Sequence, residues 1–370
     1  MRFILVTSQY PSESNLYANG FVHSRVLEYI KYGHQIQIYV NNNSEKIREY
    51  NYDGIDVRVG NKYDLELFIE NYSPDKILVH FIDRHLMKIM QKNKFKYPMI
   101  IWVHGSEALG WYRRLFNVDI KFIKYVLQNM IQMISLRKFI NNSKKENVKF
   151  IFVSNWMKKI TEKDTMTKID NYEIIPNVIN ENIFKFEDKQ DILRKNILMI
   201  RPFNSKKYAN DIAINAIVEL SKKDIFEDLN ITIIGKGKDF EKLVQPLKSY
   251  KNINLKNTFL THSEIYEQHK RNGIILCPTR QDAQGVSMCE AMSSGLIPIT
   301  SNNTAIPEFV EDEVSGFLTN NYKEIASKIE YLYNNPKRFE EMSKSASFLI
   351  NEKCSVKKVI SKELEIMTSY

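Results

Sequence analysis

Residues 278–308, PTRQDAQGVSMCEAMSSGLIPITSNNTAIPE, decide the architecture of this 370-residue chain. The segment before them, residues 273–278, is short and apolar and is predicted to be a buried strand. The segment VSMCEAMSSG spaces its apolar residues as a helix does. Gly285 therefore lies at a strand-to-helix turn, the connection from which parallel sheets are built. The sequence predicts an α/β fold around this turn.

The same turn suits an anionic ligand. The first N–H groups of a helix have no partner within it and carry partial positive charge, so the amides of Gly285, Val286 and Ser287 can receive a phosphate. Glu290, one turn into the helix, is expected near whatever that phosphate carries, because a carboxylate can accept hydrogen bonds from two sugar hydroxyls. Asp282, before the turn, is expected to face the other side of the ligand.

This stretch resembles the signature of the retaining family 4 glycosyltransferases of glycosyl transferases group 1, in which an acidic residue precedes a glutamate by eight positions. The match continues through residues 290–295, EAMSSG, and through Pro307-Glu308 to residues 315–318, SGFL. Asp282 departs from the pattern, since the family usually has Glu there, and Ala283-Gln284 replaces Gly-Phe. The resemblance implies the GT-B architecture, two Rossmann-like, doubly wound domains facing each other across a cleft.

Chain length favours two domains, since 370 residues exceed most single cores and 43% hydrophobic residues can fill two. The charged stretch at residues 185–195 is predicted to be a linker. This places a Rossmann-like, acceptor-binding domain at residues 1–187 and a nucleotide-sugar-binding domain at residues 188–352, with roles taken from the resemblance. The family also implies that the last helix, within residues 353–370, crosses back onto the first domain.

Composition limits the setting. No apolar run is long enough to cross a membrane, and the apolar core of residues 1–11 is too short for a signal peptide, so a cytoplasmic protein is expected. The three cysteines show no metal-binding spacing and are expected to be reduced structural thiols. The net charge of +9 fits phosphorylated ligands, an anionic bilayer or nucleic acid. Because the basic residues form no recognised nucleic-acid motif, no nucleic-acid partner is expected.

The first predicted strand, residues 2–8, is followed by a loop and a helix introduced by Gly20-Phe21. No G-x-G-x-x-G is present there, which argues against a dehydrogenase-type dinucleotide fold. By the resemblance this loop approaches both the donor diphosphate and the acceptor, and Gly20 and Phe21 line the cleft as donor-binding residues; alternatively, Gly20 only permits a turn. His104 ends a later apolar strand, where the family has a histidine near the reacting sugar, whereas His80, at the end of the neighbouring strand, is expected to pack in the core.

Residues 111–145 mix basic, aromatic and apolar residues. Such a segment suits the interface of an anionic membrane and indicates peripheral attachment to its inner face. The alternative, an ordinary helix whose apolar side covers the sheet, is equally open. The residues concerned are apolar Ile120, Ile123, Leu127, Met130 and Ile134, at helical spacing, and basic Arg113, Arg114, Lys121, Lys124, Arg137, Lys138, Lys144 and Lys145.

A second cationic site is predicted in the C-terminal half. Arg201 ends an apolar strand, and Lys206 follows five positions later in the loop before a helix. A guanidinium fork and a mobile ammonium can together grip a diphosphate. The pair matches the Arg-x4-Lys of the family, in which it neutralises the leaving diphosphate. The predicted fold brings this loop beside the Gly285 turn.

The resemblance implies a retaining hexosyl- or N-acetylhexosaminyl-transferase, which moves a sugar from a nucleotide-diphosphate sugar to a hydroxyl acceptor by front-face displacement. The preferred acceptor is a glycan or a lipid-linked glycan of a surface polysaccharide. His104, Asp282, Arg201 and Lys206 are the predicted catalytic residues. The chain has no D-x-D triplet, so metal independence is expected, and no cofactor is predicted.

Two alternatives to this function stay open. Asp282 in place of Glu is compatible with a nucleotide-sugar-binding subunit that has lost activity, although Arg201, Lys206 and Glu290 are intact. A nucleotide-sugar epimerase of the same fold would need one sugar nucleotide and no acceptor.

Overall fold

A computed structural model of the chain describes residues 1–13, 15, 18–42, 46–93, 96–143 and 148–369. The chain divides into two compact units. The N-terminal unit comprises Met1–Arg113, Asp119–Val178 and Lys357–Tyr370, and the C-terminal unit comprises Arg114–Val118 and Ile179–Val356. Each unit is built on its own sheet.

In its described residues the N-terminal unit has an eight-stranded sheet of order β3-β4-β2-β1-β5-β6-β7-β8. All neighbouring strands are parallel except β3 and β4. Strands β1, β5 and β6 are almost continuously apolar and buried, as expected of parallel strands covered on both faces. The strands are β1 (Arg2–Thr7), β2 (Gln35–Asn41), β3 (Arg48–Tyr52), β4 (Ile55–Gly60), β5 (Lys76–His80), β6 (Met99–Val103), β7 (Val148–Phe152) and β8 (Tyr172–Ile174).

Five helices precede the last helix of this unit among its described residues: α1 (Gly20–Lys31), α2 (Lys62–Tyr72), α3 (Arg84–Asn93), α4 (Phe122–Asn142) and α5 (Asn155–Thr165). Ser154 caps α5, because its side chain accepts a hydrogen bond from the Met157 N–H. A 3-10 segment at Trp111–Asn117 begins in this unit and ends in residues of the C-terminal unit.

The C-terminal unit has, in its described residues, a wholly parallel six-stranded sheet of order β11-β10-β9-β12-β13-β14. Residues 185–195, predicted to be the linker, lie within this unit, and the buried Lys189 donates to the His269 carbonyl at 2.7 Å. The strands are β9 (Asn196–Ile200), β10 (Asn230–Ile234), β11 (Ile253–Lys256), β12 (Ile274–Leu276), β13 (Ile297–Ser301) and β14 (Phe317–Thr319). The helices are α6 (Asn210–Leu220), α7 (Phe240–Val244), α8 (His262–Arg271), α9 (Val286–Ser293), α10 (Tyr322–Asn334) and α11 (Pro336–Cys354).

The last helix, α12 (Val356–Ser369), is held in the N-terminal unit by a buried carboxylate. Glu363 accepts hydrogen bonds from Arg25 Nε at 2.9 Å, Tyr29 Oη at 2.6 Å and Trp102 Nε1 at 3.0 Å. All four side chains are fully buried. Removing either Arg25 or Glu363 would leave the other buried charge unpaired, a change that typically costs about 3–5 kcal/mol of unfolding free energy.

The two sheets confirm the predicted α/β class with two doubly wound, Rossmann-like units. The N-terminal sheet reverses its strand order between β1 and β5, and the C-terminal sheet reverses between β9 and β12. In open parallel sheets ligands bind outside the carboxyl ends of the strands at such reversals.

Candidate functional site

The reversal in the C-terminal sheet brings the predicted anion-binding residues of that unit together. Strand β9 ends one residue before Arg201, and adjacent β12 leads into the turn at Gly285. Both elements leave the same edge of the sheet because the strands are parallel.

Arg201 is fixed beside the first turn of α9. Its side chain is 4% exposed, its Nη2 donates to the Cys277 carbonyl at 2.9 Å, and its Nη1 donates to Ser287 Oγ at 3.3 Å. In the part of the chain that the structure describes, the buried Nε has no hydrogen-bond partner. A buried N–H donor without a partner is costly, so the site offers a cationic donor to an incoming anion.

The loop that carries Arg201 packs directly on Gly235. A Cβ at that position would come within 1.8 Å of the Arg201 carbonyl oxygen, so only glycine lets the two loops meet. The backbone of Phe203 donates to the Lys236 carbonyl at 3.0 Å. The Gly235-Lys236-Gly237 sequence therefore serves to position the Arg201 loop.

Lys206 is exposed on the same loop, and its backbone is fixed by a residue that the sequence analysis missed. Arg280 donates to the Lys206 carbonyl at 2.7 Å and to both carboxylate oxygens of Asp211, at 2.8 and 2.6 Å. Two features of the sequence could have predicted this ion pair. Asp211 lies in the first turn of α6, and Arg280 lies just beyond β12, at the same edge of the sheet.

Gly285 begins α9 in a left-handed conformation, with φ +82°, which disfavours any side chain. Asp282 Oδ1 accepts the Gly285 N–H at 3.0 Å, so this carboxylate caps the turn. Val286 and Ser287, next along the chain, are the first two residues of the helix, and their N–H groups have no partner within it. The structure thus places the predicted glycine and amides at a helix N-terminus, with Asp282 in a supporting hydrogen bond.

Glu290 lies in the second turn of α9, within the same unit as Arg201. Burial raises the pKa of its carboxyl group to about 8, because it removes water as a hydrogen-bond partner of the ionised form. Hydrogen bonds from ligand hydroxyls would supply such partners and favour the ionised form.

The reversal in the N-terminal sheet gathers a different set of side chains. His104 follows β6 and its Nε2 lies 2.9 Å from Nδ1 of His80, at the end of β5. The rings of the two histidines stack at 5.1 Å, and the fully buried His80 also stacks on Trp102 at 4.6 Å. His80 therefore packs in the core, as predicted, and also orients His104, a role the sequence analysis did not find.

Burial, with the Arg25 guanidinium as a further cause, holds the pKa of His104 well below the usual range of histidine. The backbone N–H groups of His104 and Gly105 donate to the Glu107 carboxylate at 2.5 and 3.0 Å. Burial raises the pKa of Glu107 while these hydrogen bonds oppose the shift. His104 is therefore a neutral imidazole near pH 7, able to exchange a hydrogen bond with a hydroxyl.

Gly20 and Phe21 begin α1 at the same edge of this sheet. The Phe21 ring lies 5.0 Å from the His104 ring, and Phe81 lies 4.6 Å from it. Phe81 has φ +61°, a conformation that costs a non-glycine residue energy and that clusters at functional sites. The left-handed residue of the α1 turn is Asn19, and a Cβ on Gly20 would meet nothing within 4 Å, so the turn itself does not require this glycine.

Among the described residues, no group of three or more His, Cys, Asp or Glu side chains is arranged to hold a metal ion. Within the same ranges every helix is too short or too polar to cross a bilayer.

Comparison with known proteins assigns the C-terminal unit. Residues 181–347 match the family model described as Glycosyl transferases group 1. This match lies within the C-terminal unit. An uncharacterized glycosyltransferase of Methanocaldococcus jannaschii is 27% identical to this chain over 292 residues, which are 75% of this chain and 69% of the relative.

Solved structures show the fold of the whole chain. Sucrose-phosphate synthase from Thermosynechococcus elongatus superposes with a TM-score of 0.76 at 11% identity, over 100% of this chain and 99% of that one. HepE of Anabaena, solved in complex with UDP and glucose, superposes with a TM-score of 0.72 at 13% identity over 100% of both chains. The fold is GT-B, as the sequence predicts.

Proposed function

We propose that the chain is an active, retaining glycosyltransferase that moves a sugar from a nucleotide-diphosphate sugar to a hydroxyl acceptor. The observation that carries the proposal is Arg201, a buried guanidinium whose Nε has no hydrogen-bond partner among the described residues and whose Nη1 donates to Ser287 Oγ in the first turn of α9. These groups would stabilise the negative charge that develops on a departing diphosphate. Groups held in place before reaction need little reorganisation when that charge appears, and removing one such donor typically costs about a hundredfold or more in rate.

The donor is assigned to the C-terminal unit. Arg201 and Lys206 would bind the diphosphate together with the amides of Val286 and Ser287, and Glu290 would accept hydrogen bonds from the hydroxyls of the sugar. HepE of Anabaena, a relative in fold, has been solved with UDP-glucose, which supports a sugar nucleotide as the ligand.

The acceptor is assigned to the N-terminal unit, at Gly20, Phe21 and His104. Rings of this kind suit the apolar faces of a sugar, and a neutral imidazole can bind its hydroxyl. We propose a glycan or lipid-linked glycan as acceptor, with the enzyme in peripheral contact with an anionic membrane. TarM of S. aureus, a further relative in fold, has been solved with fondaparinux and UDP.

Retention is proposed to proceed by front-face displacement, in which the leaving phosphate helps to deprotonate the acceptor hydroxyl. Asp282 already accepts a hydrogen bond from the Gly285 N–H, which favours a supporting role over that of a covalent nucleophile. Turnover is proposed to be independent of metal ions, with no cofactor beyond the donor substrate.

Release of nucleoside diphosphate from a panel of UDP-, GDP- and ADP-sugars, with and without a mixture of glycan acceptors, tests this proposal. We expect one donor to release nucleoside diphosphate only when an acceptor is present, at a rate that a chelator does not change. NMR of the product should show that the anomeric configuration of the donor sugar is retained. Conversion of the sugar nucleotide to an epimer without acceptor would instead identify an epimerase. Binding without any turnover would identify the inactive subunit.

A further inference from the structure

Helix α4 has two apolar faces. Its inner face, which includes Met133, Leu136 and Phe139, is buried in the N-terminal unit. A second apolar row, spaced three or four residues apart on the outside, is exposed to solvent: Ile123 is 73% exposed and Leu127 is 59% exposed. The row consists of Ile123, Leu127, Met130, Ile131 and Ile134, preceded by Ile120, which is 99% exposed.

The exposure of the outer row tests the prediction that this side of the helix covers the sheet. The residues whose spacing suggested a core-facing side are the exposed ones, so the alternative of an ordinary helix covering the sheet with that side is wrong. Contiguous exposed apolar surface of this kind marks an interaction site in a water-soluble protein.

Positive charge surrounds the outer row. Lys121, Lys124, Arg137 and Lys138 are exposed, whereas α4 contains no acidic residue along its length. Arg113 is not part of this charge, because it pairs with the buried Asp164 at 2.7 Å. Lys144 and Lys145, which the sequence analysis included, lie outside the described residues.

We infer that the outer face of α4 is a docking surface for an anionic lipid bilayer. The apolar row would enter the boundary between headgroups and acyl chains, to a depth of about 5–10 Å, while the lysines and arginine meet anionic headgroups. A second copy of the chain fits this face less well, because it would bring the same cations together with no carboxylate on either copy of α4.

The docking helix is fastened to the loop that follows β6. Asn129 Nδ2 donates to the Leu109 carbonyl at 2.8 Å, and Gln132 Nε2 donates to the carbonyls of Glu107 and Ile82, both at 3.0 Å. Glu107 in turn holds the His104 backbone. Membrane docking through this surface would place the acceptor site of the N-terminal unit close to a lipid-linked substrate. The biological role of the surface therefore rests on the proposed function.

Co-sedimentation with vesicles tests the surface without any sugar nucleotide. The wild type is expected to bind vesicles of equal phosphatidylcholine and phosphatidylglycerol, to bind phosphatidylcholine alone at least about tenfold more weakly, and to be released by salt. The double variant Ile123→Glu/Leu127→Glu should lose about a hundredfold or more in affinity. Replacing each of the four cations by Gln should cost about fivefold per charge.

The matched control is Leu67→Glu/Phe348→Glu, two helix-surface positions with exposures of 59% and 72%. This variant should bind vesicles as the wild type does. Equal binding to both lipids, no binding, or equal loss in both double variants would overturn the inference. So would self-association in light scattering that Ile123→Glu/Leu127→Glu abolishes, since it would assign the face to a second copy.

Thermal stabilisation by sugar nucleotides separates this result from the proposed function. Both double variants should keep it, because the substitutions lie outside the donor site. Vesicle binding without donor stabilisation would support the surface and contradict the proposed activity. Donor stabilisation without vesicle binding would support the proposed donor site and contradict the docking surface.

Discussion

The two sheets of this protein reverse their strand order in the same way, but the side chains at the two reversals differ in charge. At the reversal of the C-terminal sheet, Arg201, Lys206 and the first amides of α9 present positive charge. At the reversal of the N-terminal sheet, His104 is neutral, and its neighbours are aromatic rings. The doubly wound sheet supplies the place for a ligand, and the side chains at each edge select its charge.

The two units also differ in how a buried guanidinium is paired. Arg25 of the N-terminal unit is fully buried, and its charge is matched by Glu363 of α12 at 2.9 Å. Among the described residues, the buried Arg201 donates instead to the Cys277 carbonyl and to Ser287 Oγ. This difference supports the proposal of an anionic ligand at the C-terminal edge and of an uncharged ligand, such as a sugar, at the N-terminal edge.

The largest expected effect is the loss of the cation at the C-terminal edge. Arg201→Ala should lower kcat/KM for transfer by about 100- to 1000-fold, because it removes a fixed donor to the leaving diphosphate. Arg201→Lys keeps the charge and loses the fork, and should recover only part of the rate. Steady-state release of nucleoside diphosphate measures both, with Arg271→Ala, an exposed change of equal charge in the same unit, as the control.

A second substitution at the C-terminal edge should lower donor affinity without lowering the stability of the fold. Glu290→Gln is expected to weaken donor binding by about tenfold or more, since an ionised acceptor gives stronger hydrogen bonds than an amide. Donor affinity of the wild type should rise with pH up to about 8 and then level off, while the variant shows no such rise. Calorimetric titration at several pH values measures this, and a wild type without pH dependence would contradict the role of Glu290.

The same substitution should stabilise the unliganded fold. The folded-state pKa of Glu290 is raised to about 8, above its value in an unfolded chain, so its contribution to stability is complete below the unfolded pKa and is lost as pH rises through 8. Glu290→Gln should therefore melt above the wild type at pH 8, and the gap should close toward pH 4. Glu340→Gln, the same change at an exposed position, is the control.

A smaller effect is expected at the N-terminal edge. His104→Ala should slow transfer to the acceptor by about 10- to 100-fold, the range for a positioned proton-transfer or hydrogen-bonding group, and should leave donor binding unchanged. Because the pKa of His104 is held well below the usual range, the rate should show no imidazole titration near pH 6.5. His262→Ala, at an exposed position, is the control. Equal loss of donor binding would remove the distinction between the edges.

The smallest effect concerns Gly20. Gly20→Ala should raise the free energy of unfolding by about 0.4–1 kcal/mol, since its conformation suits alanine and the added Cβ meets open space. Transfer should nevertheless fall several-fold if a ligand approaches the backbone there. Melting curves and transfer rates of the same preparation test both parts, and unchanged transfer would leave Gly20 as a simple turn residue.

Local patterns account for what the sequence predicted. The apolar runs that end at Arg201 and before Gly285 determine strands β9 and β12. Glycine favours the left-handed conformation found at the start of α9, and the place of both loops at one sheet edge followed from parallel topology. Hydrophobic spacing could not tell the two apolar rows of α4 apart, because periodicity gives the angle of a row and not the element it meets.

Hydrogen-bonded pairs of residues that are far apart along the chain could not be predicted from such local patterns. Arg280 and Asp211 are 69 positions apart, and Arg25 and Glu363 are 338 positions apart. Asp282 was expected to face the ligand, and its hydrogen bond to Gly285 depends on a turn geometry that spacing does not specify. Such contacts are set by tertiary packing.

The central claim is that the C-terminal edge binds a sugar nucleotide through Arg201 and Glu290. Its most direct test is a thermal-shift panel of UDP-, GDP- and ADP-sugars on the wild type, Arg201→Ala and Glu290→Ala. At a hundred times its dissociation constant, the correct donor should stabilise the wild type by about 2.7 kcal/mol and each variant far less. Stabilisation of all three proteins alike, or of none by any sugar nucleotide, would contradict the claim.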